Sequence, residues 1–334
     1  MNAIVCHHYG SPDVLTLEEV EKPTAGDDQV LIRVRAAAIN PLDLHLMRGK
    51  PYFTRAFSGL RKPRITRPGR DLAGQVEAVG STVTRFRPGD EVFGVSTGGT
   101  FAEFVCARET KVALKPADVT FEQAAAVPVA AVTALQALRD KGRIQPGQKV
   151  LFNGATGGVG TFAVQIAKAF GADVTGVCST SNVDLVRSIG ADHVIDRTRE
   201  DFTRSAQRFD LILDNVGNRS LSEYRRVLTP EGILVLNGGG TLSASAHRGI
   251  GPLGRSLVAL VSSRFVSQHV VMFLASIDDR DLVALKELME AGRVTPVVDR
   301  CYPLSEVPEA LRYLGQGHAR GKVVITVGHD RERA

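Results

Sequence analysis

Apolar and polar positions alternate with a short period in the first part of the chain. Stretches such as 30–36 and 72–80 place apolar side chains at every second position, which is typical of half-buried strands. Turn signals such as Pro88-Gly89-Asp90 separate these stretches. The pattern predicts a mainly β region, folded as a compact and irregular barrel or sandwich, through about residue 115.

From residue 149 onward the period changes, and apolar strands alternate with helical stretches. The predicted strands span residues 150–152, 174–178, 193–196, 210–214, 233–236 and 265–273. The predicted helical stretches lie near residues 162–170, 183–189, 200–206, 220–228 and 253–261. Six strands joined by crossover helices form a doubly wound parallel sheet, so the predicted fold class is α/β.

The end of the chain leaves this alternation. Its predicted elements are a helix, a strand, a second helix and a last strand, at 279–291, 294–299, 305–314 and 322–327. We expect this tail to return to the first domain, so that the parallel sheet is an insertion. The predicted domains are residues 1–120 with 293–334, and residues 121–292, with the active site in the cleft between them.

A glycine-rich turn follows the first strand of the predicted parallel sheet. The turn contains Gly154, Gly157, Gly158 and Gly160. In a strand–turn–helix context, glycines at the second and third of these positions let the backbone approach a pyrophosphate, and Gly160 lets the helix pack closely on the strand. The N-terminus of the helix attracts the phosphates. Ala155 stands where the dinucleotide fingerprint has its first glycine, so a purely structural tight turn is the alternative.

The end of the second strand of this sheet bears on the choice of dinucleotide. An enzyme that binds NAD usually has an acid there, about 20 residues beyond the glycines, for the ribose 2′-hydroxyl. Here the strand ends with Cys178, Ser179 and Thr180, and no acid occurs until Asp184. Hydroxyls without a carboxylate suit a 2′-phosphate, and Arg197 after the third strand can supply a cation. This favours NADPH over NADH, with a helix-capping role for Ser179 as the alternative.

Composition restricts the class of protein. The chain has 334 residues, of which 43% are hydrophobic and 23% charged, as expected for a globular protein of two domains. The four cysteines lie far apart without metal-ligand spacing, which favours reduced thiols. We find no leader sequence and no apolar run of about 18 residues, so we expect a cytoplasmic protein without a membrane span.

Basic residues are concentrated in one segment. The net charge is +5, and residues 48–70 contain lysines and arginines but no acid. One interpretation is a solvated loop, and a second is a rim that attracts an anionic cofactor or substrate. Nucleic acid is the least favoured partner for this segment.

Several motifs in a fixed order carry a resemblance to a known family. They are AINPLD at 38–43, PGRDLAG at 68–74, PGDEVF at 88–93, the glycine turn at 154–160, ILDNVG at 212–217 and GHARGK at 317–322. The chain resembles the medium-chain dehydrogenase/reductase superfamily, in its zinc-independent quinone oxidoreductase branch, and within that branch the reticulon-4-interacting-protein-like NADPH oxidoreductases. The resemblance implies a GroES-like, mainly β catalytic domain built from both chain ends, plus a central six-stranded doubly wound Rossmann domain.

The same resemblance argues against a metal. Zinc alcohol dehydrogenases have a catalytic cysteine at the position of Asn40 and a His-Glu pair at the positions of Arg70 and Asp71. Arginine cannot ligate zinc, and asparagine is a poor substitute for a thiolate. The cysteines of a structural zinc lobe are also absent, since only Cys106 lies between residues 92 and 115. We therefore expect neither zinc.

The resemblance also implies roles for individual residues. It places Asn40 and Asp43 near the nicotinamide, with His45 where relatives often have tyrosine; Tyr52 is a further candidate proton donor. Together with the strand ends, it gives the predicted cofactor contacts Thr133, Gly154, Thr156, Gly157, Gly158, Val159, Gly160, Ser179, Thr180, Arg197, Asn215, Val216, Gly217, Asn237, Gly238, Phe273 and Lys322. Many relatives have tyrosine at the position of Arg197, so Arg197 is predicted from its charge. The alternatives are a structural hydrogen-bond acceptor for Asp43 and a solvent-facing position for His45.

The favoured function is hydride transfer from NADPH to a quinone or an α,β-unsaturated carbonyl. Without a Lewis acid, an acceptor that delocalises charge as a quinol anion or an enolate is easier to reduce. A zinc-free alcohol or carbonyl dehydrogenase is the first alternative, and an NADPH-binding regulatory or nucleic-acid-binding protein with little turnover is the second. We expect a homodimer, paired through the strand at 266–273 as in related enzymes.

Overall fold

The computed structural model describes residues 1–50, 52, 55–237 and 268–328, and for residues 56 and 57 the backbone only. The chain forms two compact units. The first comprises Met1–Val132, Ile277–Ala291 and Pro296–Ala334, and the second comprises Thr133–Ser276 and Gly292–Thr295. Gly238, the predicted helical stretch 253–261 and the first residues of the predicted last strand of the parallel sheet lie outside the described residues.

Strands and helices are numbered in chain order. The strands of the first unit are β1 Asn2–Cys6, β2 Leu15–Glu19, β3 Gln29–Ala38, β4 Asp71–Val79, β5 Glu91–Val95, β6 Phe104–Arg108, β7 Val112–Leu114, β14 Val298–Pro303 and β15 Lys322–Thr326. Those of the second unit are β8 Lys149–Asn153, β9 Asp173–Cys178, β10 His193–Asp196, β11 Phe209–Asp214, β12 Leu228–Asn237 and β13 His269–Phe273. The helices are α1 Pro41–Arg48, α2 Arg55–Ser58, α3 Phe121–Ala125, α4 Pro128–Gln136, α5 Gly158–Ala169, α6 Val183–Ser188, α7 Leu221–Val227, α8 Asp279–Glu290 and α9 Val307–Gly315.

The main sheet of the first unit has the strand order β14-β15-β3-β4-β5-β7, with β6 also paired to β3. Buried and partly exposed residues alternate in the middle of β3 and β4, at 32–36 and 74–77, as the short period of the sequence predicts, whereas both ends of β3 and the start of β4 are mostly buried. β15 from the end of the chain pairs antiparallel with β3 from its beginning. The prediction of a mainly β region built from both chain ends is confirmed.

The second unit contains a parallel sheet with the order β10-β9-β8-β11-β12-β13. In chain order this is the 3-2-1-4-5-6 arrangement of a doubly wound dinucleotide-binding fold. The central strand β8 is buried at every position after Lys149, because helices cover both faces of such a sheet. The predicted doubly wound sheet is therefore confirmed among the described residues.

Two predicted elements differ from the structure. The strand predicted at 294–299 begins only at Val298, because Pro296 has no N–H to donate to a ladder. The helical stretch predicted at 200–206 is a single 3₁₀ turn, Phe202–Arg204. The Asp201 carboxylate accepts the Thr203 N–H there, and this local bond competes with a longer helix.

In the part of the chain that the structure describes, no helix has both the length and the apolar character needed to cross a membrane.

Candidate functional site

Three neighbouring strands of the first unit bring polar residues to one end of the sheet. β3 ends just before Asn40, while β4 begins at Asp71 and β15 begins at Lys322. The antiparallel registers pair Ala38 with Asp71 and with Val324. Because antiparallel strands place the end of one beside the beginning of the next, Asn40, Asp71 and Lys322 meet. We call these three residues the Lys322 cluster.

The Lys322 cluster is buried and fully hydrogen-bonded around its ammonium group. Lys322 Nζ donates to Asn40 Oδ1 at 2.7 Å, to Asp71 Oδ2 at 3.1 Å and to the Ile39 carbonyl at 3.1 Å. Asn40 Nδ2 donates to the same Asp71 oxygen at 3.0 Å. Lys322 is 3% exposed and Asp71 is completely buried. A buried charge pair is stable only with such complete partners, so the cluster fixes the position of the Asn40 amide.

The second oxygen of Asp71 also has a partner. Asp71 Oδ1 accepts the backbone N–H of Val129 at 2.9 Å, at the start of helix α4. A carboxylate at a helix N-terminus satisfies an otherwise unpaired N–H and is favoured by the helix dipole. Asp71 therefore links the sheet to α4 within the first unit.

Asp43 lies one turn beyond Asn40, in helix α1. Pro41 at the first helical position fixes the entry of this helix. Asp43 Oδ2 accepts a hydrogen bond from the Asn40 backbone N–H at 2.8 Å. This is the structural acceptor role that the sequence analysis gives as the alternative to a catalytic one. Burial raises the pKa of Asp43 to about 7, although the Asn40 bond and the charge of Lys322 act in the opposite direction. Near neutral pH this carboxyl can therefore exist in either protonation state.

Asp43 also lines a cavity of about 200 Å³ in the first unit. Arg67 and Arg70 line the same cavity. Its apolar lining residues are Leu46, Met47, Pro63, Ile65 and Pro68. A concave, mostly apolar space with a few polar groups and a carboxyl of shifted pKa is the usual character of a substrate site.

Of the four predicted catalytic residues, Asp43 lines this cavity, whereas Asn40, His45 and Tyr52 are not among its lining residues. His45 is half-buried in helix α1, and burial lowers the pKa of its imidazole below the ordinary value. Tyr52 is 68% exposed, and its ring lies 5.0 Å from the guanidinium of Arg55. Of the four predicted catalytic residues, the structure brings together only Asn40 and Asp43.

Lys322 was predicted as a cofactor contact, but its three N–H bonds are all directed to protein acceptors. An ammonium has three donors and no acceptor, so no hydrogen remains for a further ligand. The structure thus places Lys322 as a support for Asn40 and Asp71.

In the second unit, the glycine turn joins β8 to helix α5. Gly154 has φ +90°, a conformation that side chains disfavour, and a Cβ at Gly160 would lie 2.1 Å from the Gly154 carbonyl. A Cβ at Gly157, in contrast, would meet only the Gly154 carbonyl, at 3.8 Å. Packing therefore requires Gly154 and Gly160, whereas the space beside Gly157 is open. Thr156, Gly158 and Val159 are half-buried at the same turn, where the N-terminus of α5 offers N–H groups to an anion.

A polar loop at the end of β11 lies beside this turn. Asp214 accepts the N–H groups of Val216 and Gly217 at 3.0 Å, so Asp214 shapes the loop and does more than end its strand. Asn215 Oδ1 accepts from Asn237 Nδ2 at 3.1 Å. Among the described residues, Asn215 Nδ2 is buried and has no hydrogen-bond partner. A buried donor without a partner is unfavourable, so Asn215 Nδ2 beside the glycine turn is suited to a bound ligand that supplies a hydrogen-bond acceptor.

The predicted 2′-phosphate site lies at the ends of β9 and β10. Ser179 is half-buried, and Asn182 Nδ2 donates to its hydroxyl oxygen at 3.1 Å. The Thr180 hydroxyl lies 2.6 Å from Asp196 Oδ2, so this predicted cofactor contact is engaged by a neighbouring carboxylate. Arg197 is exposed, and its side chain forms no ion pair with any residue that the structure describes. An arginine free of carboxylate partners fits a phosphate ligand.

The remaining predicted cofactor residues lie in the second unit. Thr133 is 6% exposed in helix α4, and Phe273 ends β13 with its ring centroid 5.9 Å from Lys141 Nζ. Gly238 lies outside the described residues. The open turn, the orphaned Asn215 donor and the unpaired Arg197 are three independent features that fit a dinucleotide.

Comparisons with known proteins agree with these two units. Residues 26–117 match the alcohol dehydrogenase GroES-like domain, and residues 189–325 match a family described as zinc-binding dehydrogenase. The chain is 36% identical to NAD(P)H oxidoreductase RTN4IP1, mitochondrial, of Mus musculus, over 98% of this chain and 89% of that protein. It is 34% identical to the chloroplastic NADPH-dependent alkenal/one oxidoreductase of Arabidopsis thaliana, over 97% of this chain and 79% of that protein. The solved quinone oxidoreductase from Coxiella burnetii is 29% identical, with a TM-score of 0.84 and coverage of 98% of this chain and 99% of that one. The chain belongs to the quinone oxidoreductase branch of the medium-chain dehydrogenase/reductase superfamily.

Family membership allows the Lys322 cluster to be compared with the metal site of the zinc dehydrogenases in the same superfamily. Asn40 and Asp71 occupy positions at which the zinc dehydrogenases of the superfamily have metal ligands, as the sequence motifs indicate. In this quinone oxidoreductase branch member, the Lys322 ammonium lies between those two side chains. The donor set is an amide and a carboxylate with a built-in cation, which does not fit an added divalent metal. Among the described residues no group of three or more His, Cys, Asp and Glu side chains has an arrangement that could hold a metal.

Sequence reasoning missed the partners that hold the predicted residues in place. The hydrogen bonds of Asp71 were not predicted, and Asp196, which pairs with Cys178 across β10 and β9, was not recognised as an acid beside the predicted 2′-phosphate site. A usable signal existed for Asp71 and Lys322. Asp71 directly precedes the predicted strand at 72–80, Lys322 begins the predicted strand at 322–327, and the two residues carry opposite charges.

Proposed function

We propose that this protein reduces quinones or α,β-unsaturated carbonyls with NADPH. The observation that carries the proposal is Asp43, a buried carboxyl with a raised pKa that lines an apolar cavity beside the Lys322 cluster. Relatives of 34–36% identity are named as NAD(P)H and NADPH-dependent alkenal/one oxidoreductases, which supports both the reaction type and the cofactor.

NADPH, when bound, supplies a hydride, and the residues of the chain manage the charge that results on the acceptor. Asn40 Nδ2 uses one hydrogen on Asp71, and we assign its second hydrogen to the developing oxyanion of the acceptor. The Lys322 cluster keeps this amide from rotating. Asp43, when protonated, donates the proton that completes the reduction.

The cofactor contacts follow the features of the second unit. Thr156, Gly158 and Val159 present backbone and hydroxyl donors to the pyrophosphate at the start of α5, and Gly157, whose N–H donates to the Gly154 carbonyl, leaves space for it. Ser179 and Arg197 are assigned to the 2′-phosphate, and Asn215 Nδ2 to an acceptor on the dinucleotide. This assignment supports a cofactor role for the unit built around 121–292 and a catalytic role for 1–120 with 293–334.

A substrate panel followed by oxidation of NADPH tests the proposal. We expect turnover with benzoquinones and short enones, and none of comparable rate with secondary alcohols and NADP⁺ in the reverse direction. Faster alcohol oxidation would favour the zinc-free dehydrogenase instead. Binding of DNA or RNA at physiological salt with no turnover of any acceptor would favour the regulatory alternative.

The pH dependence of kcat tests the role of Asp43. A general acid must be protonated, and the raised pKa of about 7 means that Asp43 loses its proton as the pH rises through 7. We expect kcat with an enone to fall above about pH 7 in the wild type. Asp43→Asn should lower kcat by roughly 10²-fold or more and remove this limb, while the amide oxygen still accepts the Asn40 N–H. If kcat of the Asp43→Asn variant still falls above about pH 7, another group donates the proton.

Two further proposals concern assembly and location. β13 lies at one edge of its sheet among the described strands, and Leu274, which follows it, is 84% exposed. We assign this edge to a homodimer, to be checked by light scattering coupled to size-exclusion chromatography.

We also propose a cytoplasmic location. Cell fractionation tests it, and the test is needed because the mouse relative is named as mitochondrial.

A further inference from the structure

Two arginines line the substrate cavity without an acidic partner. Arg67 and Arg70 are half-buried, and neither guanidinium forms an ion pair with any described residue. Arg33, at a similar depth in the same unit, pairs with Glu77 at 3.2 Å. A guanidinium that has lost part of its hydration gains stability from an anion, so two such groups on one cavity point to an anionic ligand.

The segment that carries these arginines is rigid. The Thr66 carbonyl accepts the Cys6 N–H of β1 at 2.7 Å, and the Arg70 carbonyl accepts the Ser96 N–H at 2.9 Å. Between them Gly69 has φ +94°, and a Cβ there would lie 2.5 Å from Thr100 Oγ1. This end of the basic segment is therefore anchored on both sides. Anchoring favours a fixed anion site over the solvated loop that the sequence left open.

The rest of the cavity limits the size and polarity of the ligand. Its other lining is mainly apolar, and its volume of about 200 Å³ exceeds the roughly 150 Å³ that holds benzene in an engineered apolar cavity. The charge of Arg70 also reaches Asp43 on the same cavity, where it opposes the increase in the pKa of that carboxyl caused by burial. A single ring or a short chain with one acidic group matches this space.

We propose that the acceptor of this enzyme carries a carboxylate, which Arg67 and Arg70 bind while the apolar wall holds the remainder of the molecule. The inference rests on the proposed reductase function and narrows its substrates to short keto-enoic acids and single-ring quinones that bear an acid group. The planar guanidinium fork matches the two oxygens of a carboxylate.

A pair of enones that differ only at the acid tests this inference. The probes are trans-4-oxo-2-pentenoate and its methyl ester. In both, the hydride adds to carbon 2, the electron pair shifts to the ketone oxygen, and carbon 3 then takes a proton. The products are the saturated 4-oxo compound and NADP⁺. The ratio of kcat/KM for the acid to kcat/KM for the ester isolates recognition of the carboxylate.

The variants are Arg67→Gln, Arg70→Gln and Arg70→Lys, with Arg61→Gln as the matched control. Arg61 is exposed in the same basic segment and does not line the cavity, so its loss changes the net charge equally. We expect the wild type to prefer the acid, and each Gln variant to lower the acid-to-ester ratio about tenfold to hundredfold. Arg70→Lys should lower the ratio less, and Arg61→Gln should leave it within about twofold.

An acid-to-ester ratio that is equal in all variants would overturn the inference. So would a KM for NADPH that rises in the Arg67 and Arg70 variants as much as the KM for the acid, since the arginines would then hold the cofactor. If neither these probes nor the benzoquinones and enones of the substrate panel are reduced, the reductase proposal fails. Calorimetric titration with 4-oxopentanoate and its methyl ester then decides the anion site separately. Binding of the acid alone, lost in Arg67→Gln, would support the site; equal or absent binding of both would refute it.

Discussion

The Lys322 cluster of the first unit and the glycine turn of the second differ in how completely their hydrogen bonds are satisfied within the described protein. In the Lys322 cluster every ammonium hydrogen has an acceptor, and both oxygens of Asp71 accept bonds. At the glycine turn of the second unit, Asn215 Nδ2 is buried without a partner in the described part of the chain, and no described atom but the Gly154 carbonyl lies within 4 Å of a Cβ built at Gly157.

This difference indicates different roles: the Lys322 cluster fixes the positions of its own side chains, whereas the glycine turn leaves groups available to bind a ligand. A buried ionic network with complete partners is rigid, and losing one member is costly because the others remain desolvated. A site that binds a cofactor leaves donors unsatisfied until the cofactor arrives. Substitutions should therefore affect stability in the first case and affinity in the second.

The largest expected effect is on stability, in Lys322→Met. Methionine has a similar length but no charge, so Asp71 would stay buried without its cation. We expect the free energy of unfolding to fall by about 3–5 kcal/mol, measured by urea denaturation. Asp71→Asn in addition to Lys322→Met should recover part of the loss, because a neutral amide is less costly to leave unpaired.

The control is Lys286→Met, the same change in a helical ion pair with Glu290 at the surface. It should cost less than about 1 kcal/mol. Similar losses in Lys322→Met and Lys286→Met would show that the Lys322 cluster does not depend on its buried charge.

A smaller effect is expected from two alanine substitutions in the glycine turn. In Gly160→Ala the new Cβ would lie 2.1 Å from the Gly154 carbonyl, so α5 must shift, at a cost of about 1–3 kcal/mol in stability. In Gly157→Ala the Cβ meets open space, and the φ of −74° is accessible to alanine. Stability should change little, but NADPH affinity should weaken at least about tenfold because the methyl group occupies the pyrophosphate space.

Fluorescence titration with NADPH and thermal unfolding of both variants measure this contrast. If Gly157→Ala binds NADPH as tightly as the wild type, the pyrophosphate lies elsewhere.

Much of the fold could be predicted because it depends on the spacing of apolar residues within short segments of the sequence. The alternation of β3 and the strand–turn–helix order around β8 and α5 are visible in short windows of sequence. The strand at Val298 was placed too early because its start depends on Pro296, a single residue that interrupts an otherwise apolar stretch. The 3₁₀ turn at Phe202 depends on one side-chain bond from Asp201, which a periodic pattern does not reveal.

The site was predictable as a set of residues but less so as a set of contacts. Asn40 and the glycine turn follow from motifs, whereas the bonds of Lys322 join residues separated by hundreds of positions. Such contacts depend on the strand order β15-β3-β4, which one sequence does not specify. The Thr180–Asp196 bond was missed for the same reason, since β9 and β10 meet only in the folded sheet.

The smallest expected effect concerns cofactor choice at Arg197, whose guanidinium forms no ion pair with any described residue. The Thr180 and Thr198 hydroxyls bond Asp196 and hold its pKa below the usual value, so a charged carboxylate lies beside the predicted 2′-phosphate site. Arg197 must offset that charge if NADPH is to bind.

We expect Arg197→Ala to weaken the affinity for NADPH about tenfold and the affinity for NADH less than twofold, measured by the KM of each cofactor with one acceptor. Arg199→Ala is the control, because Arg199 already pairs with Asp196 at 3.5 Å. Equal weakening toward both cofactors in Arg197→Ala would remove the 2′-phosphate role, and a larger effect in Arg199→Ala would transfer that role to Arg199.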